Sequence, residues 1–219
     1  MTNINKPFYK KVLTITIAGL IATTVVGCSN NKSKNSNNTQ TTQKVNKTNS
    51  KKKSSKITSQ KNALRKNYNK IKIGDVTNRA DGGSTIKAVK KILGNPDSTT
   101  TTTVKAYKAK SYTWNKDGVV LNVEFENNKA FSKLISGFKW NRNGQALDKK
   151  AFNHTKIGSS YDSLVNKYGE PDGLHESLVL GNKSIIAIYF TNITGPTKSN
   201  AEFHFMNNKL TSKTQTELK

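Results

Sequence analysis

Three blocks of this chain occur twice, in the same order, and that recurrence constrains the fold more than any other feature. Tyr68-Asn69-Lys70-Ile71-Lys72-Ile73-Gly74 returns as Phe152-Asn153-His154-Thr155-Lys156-Ile157-Gly158. Gly94-Asn95-Pro96-Asp97 returns as Gly169-Glu170-Pro171-Asp172, and Phe125-Glu126-Asn127-Asn128-Lys129 as Phe205-Met206-Asn207-Asn208-Lys209. The offsets are 84, 75 and 80 residues, so the copies differ by insertions. The first copy has extra residues around Asp81-Gly82-Gly83 and the second a longer hairpin loop, where insertions are tolerated.

Between the blocks the periodicity alternates. Ile86, Val89 and Leu93 share a helical face behind Ser84 or Thr85 as cap, and Tyr161, Leu164, Val165 and Tyr168 do so behind Ser159 or Ser160. Each run ends at Gly with Pro two residues on, a stop signal. Period 2 follows: Tyr112 and Trp114, a turn at Lys116-Asp117-Gly118, then Val119, Leu121, Val123 and Phe125. In the second copy Ile186, Ile188 and Phe190 alternate, followed by Ala201, Phe203 and Phe205. A further short helix precedes each copy, over Ser59–Tyr68 and Asp148–Phe152. The expected class is α+β, with two tandem modules at 59–140 and 141–219. Each is a helix pair packed on a three- to four-stranded antiparallel meander sheet, whose other face is open.

The N-terminus carries a different signal. Lys6, Lys10 and Lys11 precede an apolar stretch from Val12 to Gly27, the form of an export signal and short for a bilayer span. Directly after it stands the lone cysteine, Cys28. Val25-Val26-Gly27-Cys28 resembles the lipobox of bacterial lipoproteins. That resemblance implies a signal peptide over 1–27, a diacylglyceryl membrane anchor on Cys28, and a place on the extracellular face of a bacterial, Gram-positive cell membrane. With Cys28 lipidated no thiol remains for a disulfide, so packing alone must stabilise the fold.

The formal net charge of +24 is unevenly placed. No acid precedes Asp75, whereas the 21 basic residues after Lys72 face all 13 acids, a net of +8. Residues 28–58 are almost wholly Lys, Asn, Ser, Thr and Gln, a composition expected to form a disordered tether. Lys51, Lys52, Lys53 and Lys56 read first as part of a solvated spacer, with contact to anionic lipid or wall polymer as the alternative. Nucleic acid is disfavoured: the run has no aromatics for base stacking, and the chain carries an export signal.

The two Ile-Gly pairs, the two Gly-x-Pro-Asp stops, Tyr112-Thr113-Trp114 and Ser136-Gly137-Phe138-Lys139-Trp140 carry a second resemblance. The chain resembles the tandem modules of the beta-lactamase inhibitor protein and the small outer-membrane lipoproteins of the barrel-assembly machinery. It looks closest to duplicated lipoproteins of lactic-acid-type Gram-positive bacteria. The resemblance implies a protein-binding module presenting aromatics from a sheet surface to an envelope protein. The inhibitor family's disulfides and free secretion have no counterpart here, so lactamase inhibition is not carried over.

No catalytic chemistry is legible. His154, His175 and His204 lack metal-ligand spacing, no Gly-x-Ser-x-Gly elbow occurs, and Gly82-Gly83-Ser84-Thr85 lacks the rest of a phosphate loop. Glu124 and Glu126, or Glu170 and Asp172, read as solvated carboxylates rather than an acid–base pair. The expectation is a non-enzyme without cofactor or metal. Tyr112, Trp114, Trp140 and Tyr189 are candidate partner contacts, with burial beneath the helices as the competing reading. A structural lipoprotein holding wall polymer is the first rival function and an envelope hydrolase the second.

Overall fold

The computed structural model describes residues 62–104, 107–139 and 145–219. Cys28 with Val25, Val26 and Gly27, the lysines Lys51, Lys52, Lys53 and Lys56, and Trp140 lie outside the described residues.

The helical runs form where their caps and stops stand. Helix α1 covers 62–70, α2 is Ile86–Leu93, α3 Lys149–His154 and α4 Tyr161–Tyr168. Thr85 Oγ1 accepts the Ala88 N–H, Asp148 Oδ1 the Ala151 N–H and Ser160 Oγ the Ser163 N–H, each satisfying a free donor of a first turn. Gly94 and Gly169 close α2 and α4 at φ 83° and 78° with ψ near 180°, a region open to glycine.

The strands are β1 (Ser98–Val104), β2 (Tyr107–Lys116), β3 (Val119–Glu126), β4 (Lys129–Ser136), β5 (Gly173–Val179), β6 (Asn182–Tyr189), β7 (Asn200–Met206) and β8 (Lys209–Thr216). They form one 8-stranded antiparallel sheet in chain order. Strand β1 had no period-2 signal, because its Ser-Thr run alternates in nothing; β5 was masked by its mixture of Gly, Leu, His, Glu and Ser.

The expectation of two tandem helix-plus-sheet modules is therefore wrong: residues 62–219 build a single domain on a single sheet. Strand β4 pairs directly with β5, from Ser132↔Ser177 to Ile135↔Leu174. One hydrophobic cluster runs through both halves, from Leu64, Tyr68 and Trp114 to Tyr168, Phe203 and Leu218. Helix α1 spans the junction. The Tyr68 hydroxyl lies 3.3 Å from both the Lys133 carbonyl on β4 and the Leu174 carbonyl on β5. Arg65 reaches Glu170 beyond α4 at 2.7 Å. Local periodicity reports which residues face inward but not which strand lies beside which, so the β4–β5 pairing was invisible to it.

A second, smaller cluster sits on the opposite face. Val76 and Ala80 pack with Ala109, Phe131 and Val179, so the segment after α1 crosses to the other side of the sheet. The Asp75 carboxylate fixes that crossing: it accepts from Thr77 and from the backbone N–H groups of Leu180 and Gly181 in the β5–β6 turn.

Candidate binding face

Residues directly paired between antiparallel strands share a face, so the register defines both surfaces of the sheet. The helix-covered face holds Trp114, Leu121, Ile135, Leu174, Ala187 and Phe203 in one continuous row. The opposite row reads Thr113, Asn122, Leu134, His175, Ile186, His204 and Ser212. Beside it lie Val120, Ile188 and Glu202 on one flank and Glu124, Ser132, Ser177 and Ser184 on the other.

This open face has two properties. Val120, Leu134, Ile186 and Ile188 belong to neither hydrophobic cluster, although three of them are half-buried by their neighbours and Val120 is exposed. In addition, the central row carries no lysine or arginine, in a chain with 37 of them, and the cations facing this side from β2 to β8 are Lys129 and Lys209, both at hairpin ends of the strands. The strand lysines Lys110, Lys133, Lys183 and Lys213 all fall on the other parity.

The polar groups of the face are held by one another. Asn122 Nδ2 donates to Ser111 Oγ at 2.7 Å and to Thr113 Oγ1 at 2.9 Å. Ser132 Oγ lies 3.0 Å from His175 Nε2. Burial pushes the Glu124 carboxyl above its usual range, and a hydrogen bond from Ser132 works the other way. Burial likewise pulls His175 down, against a smaller upward pull from Glu176. Ser132 itself is buried beneath its neighbours on this face. His204 Nε2 stands 3.4 Å from Glu202 Oε2. Among the described residues no group of three or more His, Cys, Asp or Glu could hold a metal ion.

The aromatic candidates lie elsewhere. Trp114 and Tyr189 are each 1% exposed, on the helix-covered face. Trp114 Nε1 donates to the Gly94 carbonyl at 3.1 Å, and the Tyr189 hydroxyl to the Gly169 carbonyl at 2.8 Å. In each half one buried aromatic thus satisfies the carbonyl at the end of a helix, leaving neither for a partner. Tyr112 is half-buried on the same face, edge-on to Phe125 at 5.2 Å between ring centroids. Strand β6 carries apolar residues on both sides. The pattern Ile186, Ile188 suggested an inward row, but Ile185, Ala187 and Tyr189 face the helices instead. The open-face residues were missed for that reason. One signal was available: the absence of cations at the central alternate strand positions of a lysine-rich chain.

Compared with known proteins, residues 60–218 match the family described as Domain of Unknown Function with solved-structure structure (DUF3862). The chain is also similar to a crystal structure from Streptococcus mutans described as a "putative beta-lactamase inhibitor protein". That similarity has 31% identity and a TM-score of 0.61, and covers 72% of this chain and 97% of the other. No curated protein matches the chain.

Proposed function

We propose that this chain, which belongs to the DUF3862 family, is a non-catalytic binding protein that engages an envelope protein through the open face of its sheet. The observation that carries the reading is the open face, whose central row has no cation, with Leu134, Ile186 and Ile188 outside both cores. Protein interfaces are depleted of charge and more apolar at their centres than at their rims, and the central row of this face, with Leu134 and Ile186 and no Lys, Arg, Asp or Glu, follows that pattern. The similarity to a structure described as an inhibitor protein supports binding rather than turnover. Wall polymer is a poorer occupant of the same face, because Glu124 and Glu202 would repel a polyanion, while the lysines on that side, Lys129 and Lys209, stand at its hairpin end and Lys129 is paired with Asp81.

The anchoring part of the proposal rests on sequence. Cys28, with its diacylglyceryl group, holds the domain at the outer surface of the cell membrane, where its partner is an envelope protein. The test is a photo-crosslinking amino acid placed at Ile186 on the open face or at Lys87 on α2, in intact cells. Discrete protein adducts from position 186 and none from 87 are expected. Equal adducts from both positions, or none from 186, would sink the reading. Replacing Cys28 by Ala moves the protein into the medium if the anchor is real.

A further inference from the structure

The hairpin turns at one end of the sheet differ from each other in a way the fold does not require. Three turns in this chain place Asp117-Gly118, Asn127-Asn128 and Asn207-Asn208 at positive φ, residue types that suit the left-handed region. The β5–β6 turn instead places Leu180 there, at φ 51° and 65% exposed, followed by Gly181 at φ 72°. A leucine at that position is strained and shows its side chain to water. The Asp75 carboxylate, bonded to the N–H groups of both turn residues, holds it in that geometry.

Leu180 has apolar neighbours at the same end. Among the described residues the exposed large hydrophobics are Leu180, Ile157 at 60%, Met206 at 40% and Val120 at 37%, and the first three lie at the same end of the sheet. The β5–β6 and β7–β8 turns are tied side by side, with Asn207 N–H on the Lys183 carbonyl at 2.8 Å and Asn207 Nδ2 on Asn182 Oδ1 at 2.9 Å. The loop carrying Ile157 is tied to β8 in turn, by Gly158 N–H on Leu210 O and Leu210 N–H on Ser159 O, both 2.8 Å. Exposed Lys72, Arg79, Lys156 and Lys209 flank these tips, together with Lys183, which pairs with Glu176. The acids of this end are Asp75, occupied by the turn, Asp81, paired with Lys129, half-buried Glu126, and exposed Asp162 in the first turn of α4, whose Tyr161 N–H bonds Asn208 Oδ1.

We infer that this end of the domain docks on an anionic lipid bilayer, with Leu180, Ile157 and Met206 entering the interface and the surrounding lysines and Arg79 contacting headgroups. The apolar side chains project from turns rather than line a groove, which suits a soft interface better than a protein socket. A soluble polyanion would use the cations but leave the apolar tips without a role. Leu180 and Ile157 lie in turns beyond the strands and Met206, opposite Ser184, marks only the end of the open face, so docking leaves the central row accessible and the inference stands independently of the binding reading.

The test uses the full chain with Cys28→Ser and one new cysteine, Leu180→Cys or Thr100→Cys, each labelled with an environment-sensitive nitrobenzoxadiazole. The probe is vesicles of phosphatidylglycerol mixed with phosphatidylcholine. With these vesicles the emission from position 180 shifts to the blue and is quenched by brominated lipid. Position 100, on the exposed edge strand β1, shows neither effect. Lysines of the N-terminal segment are common to both proteins, so the difference between positions reports the docking end. The triple variant Ile157→Asn, Leu180→Asn, Met206→Asn should partition about tenfold less onto the same vesicles, given the apolar area removed. Equal emission at both positions, an unchanged partition of the triple variant, or a shift abolished by soluble polyglutamate at fixed ionic strength would overturn the inference.

Discussion

Lys133 on β4 and Glu176 on β5 face one another across the seam between the two halves, Nζ to Oε1 at 3.2 Å, with side chains only 6% and 10% exposed. Lys183 joins Glu176 from β6 at 2.6 Å. The ammonium group of Lys133 also donates to the Tyr68 and Ile71 carbonyls at the end of α1, at 3.2 and 3.0 Å, so it caps a helix while it pairs. Lys213 does the same for α3, donating to the Phe152, Asn153 and Thr155 carbonyls.

A single substitution at this seam should therefore be severe. Glu176→Leu leaves the Lys133 charge buried without its carboxylate and is expected to cost roughly 3–5 kcal/mol in urea unfolding. The double variant Lys133→Met, Glu176→Leu should recover most of that loss, short of the helix-end bonds. A loss below about 1 kcal/mol for Glu176→Leu would place the pair in the range of solvent-screened ion pairs.

The same pair predicts an acid response. Burial alone would raise the Glu176 carboxyl, but Lys133 and Lys183 outweigh it and hold it below the usual range. The unfolded carboxyl then binds more protons than the folded one. Its contribution is whole above the ordinary glutamate range and is lost as pH falls through the folded value. Glu176→Gln should flatten that limb of stability against pH, measured by chemical unfolding from neutral pH downward.

Tyr189→Phe isolates the helix-end bond. It keeps the ring against Phe203, 5.9 Å between centroids, and removes only the hydroxyl that bonds Gly169. The expected loss is about 1 kcal/mol of unfolding free energy. An unchanged urea midpoint would show that the Gly169 carbonyl needs no partner.

The two glycines of the repeated Ile-Gly pair should fail in different ways. A Cβ on Gly74 would lie 2.2 Å from the Ala80 and Asp81 carbonyl oxygens, both backbone, so Gly74→Ala must displace the crossing segment. At Gly158 nothing lies within 4 Å, but φ is +88°, so Gly158→Ala meets only backbone strain, about 1 kcal/mol. Thermal unfolding of the two variants should rank Gly74→Ala well below Gly158→Ala, and equal losses would refute the distinction.

Relieving the strained turn should stabilise the fold. Leu180→Asn puts a residue tolerant of positive φ where Leu180 stands and retains the backbone N–H that bonds Asp75. A gain on the order of 1 kcal/mol is expected in urea unfolding, and a loss would mean that the leucine side chain supports the fold after all.

Local chemistry was legible wherever it acts within a few residues. Thr85, Asp148 and Ser160 cap the helices through their own first turns, Gly94 and Gly169 stop them, and the paired asparagines at 127–128 and 207–208 turn the hairpins. These follow from residue type and spacing, so the sequence by itself determined the helices, the strands other than β1 and β5, most of their ends and the inward row of β3. Face assignment failed on β6, where Ile185 and Ile186 are equally apolar and only the packed helices distinguish them.

What the tertiary structure alone decided is association. Whether β4 ends a module or pairs with β5 depends on the free energy of burying Lys133, Glu176, Ile135 and Leu174 against α1, a sum over residues far apart in the chain. That choice merges two recurring patterns into one sheet with one core. It also sets Leu134 on β4 beside His175 on β5, so that the open face, with no cation in its central row, runs across both halves. Period and propensity act over neighbours, whereas the pairing and the faces it creates depend on contacts that exist only once the chain has closed on itself.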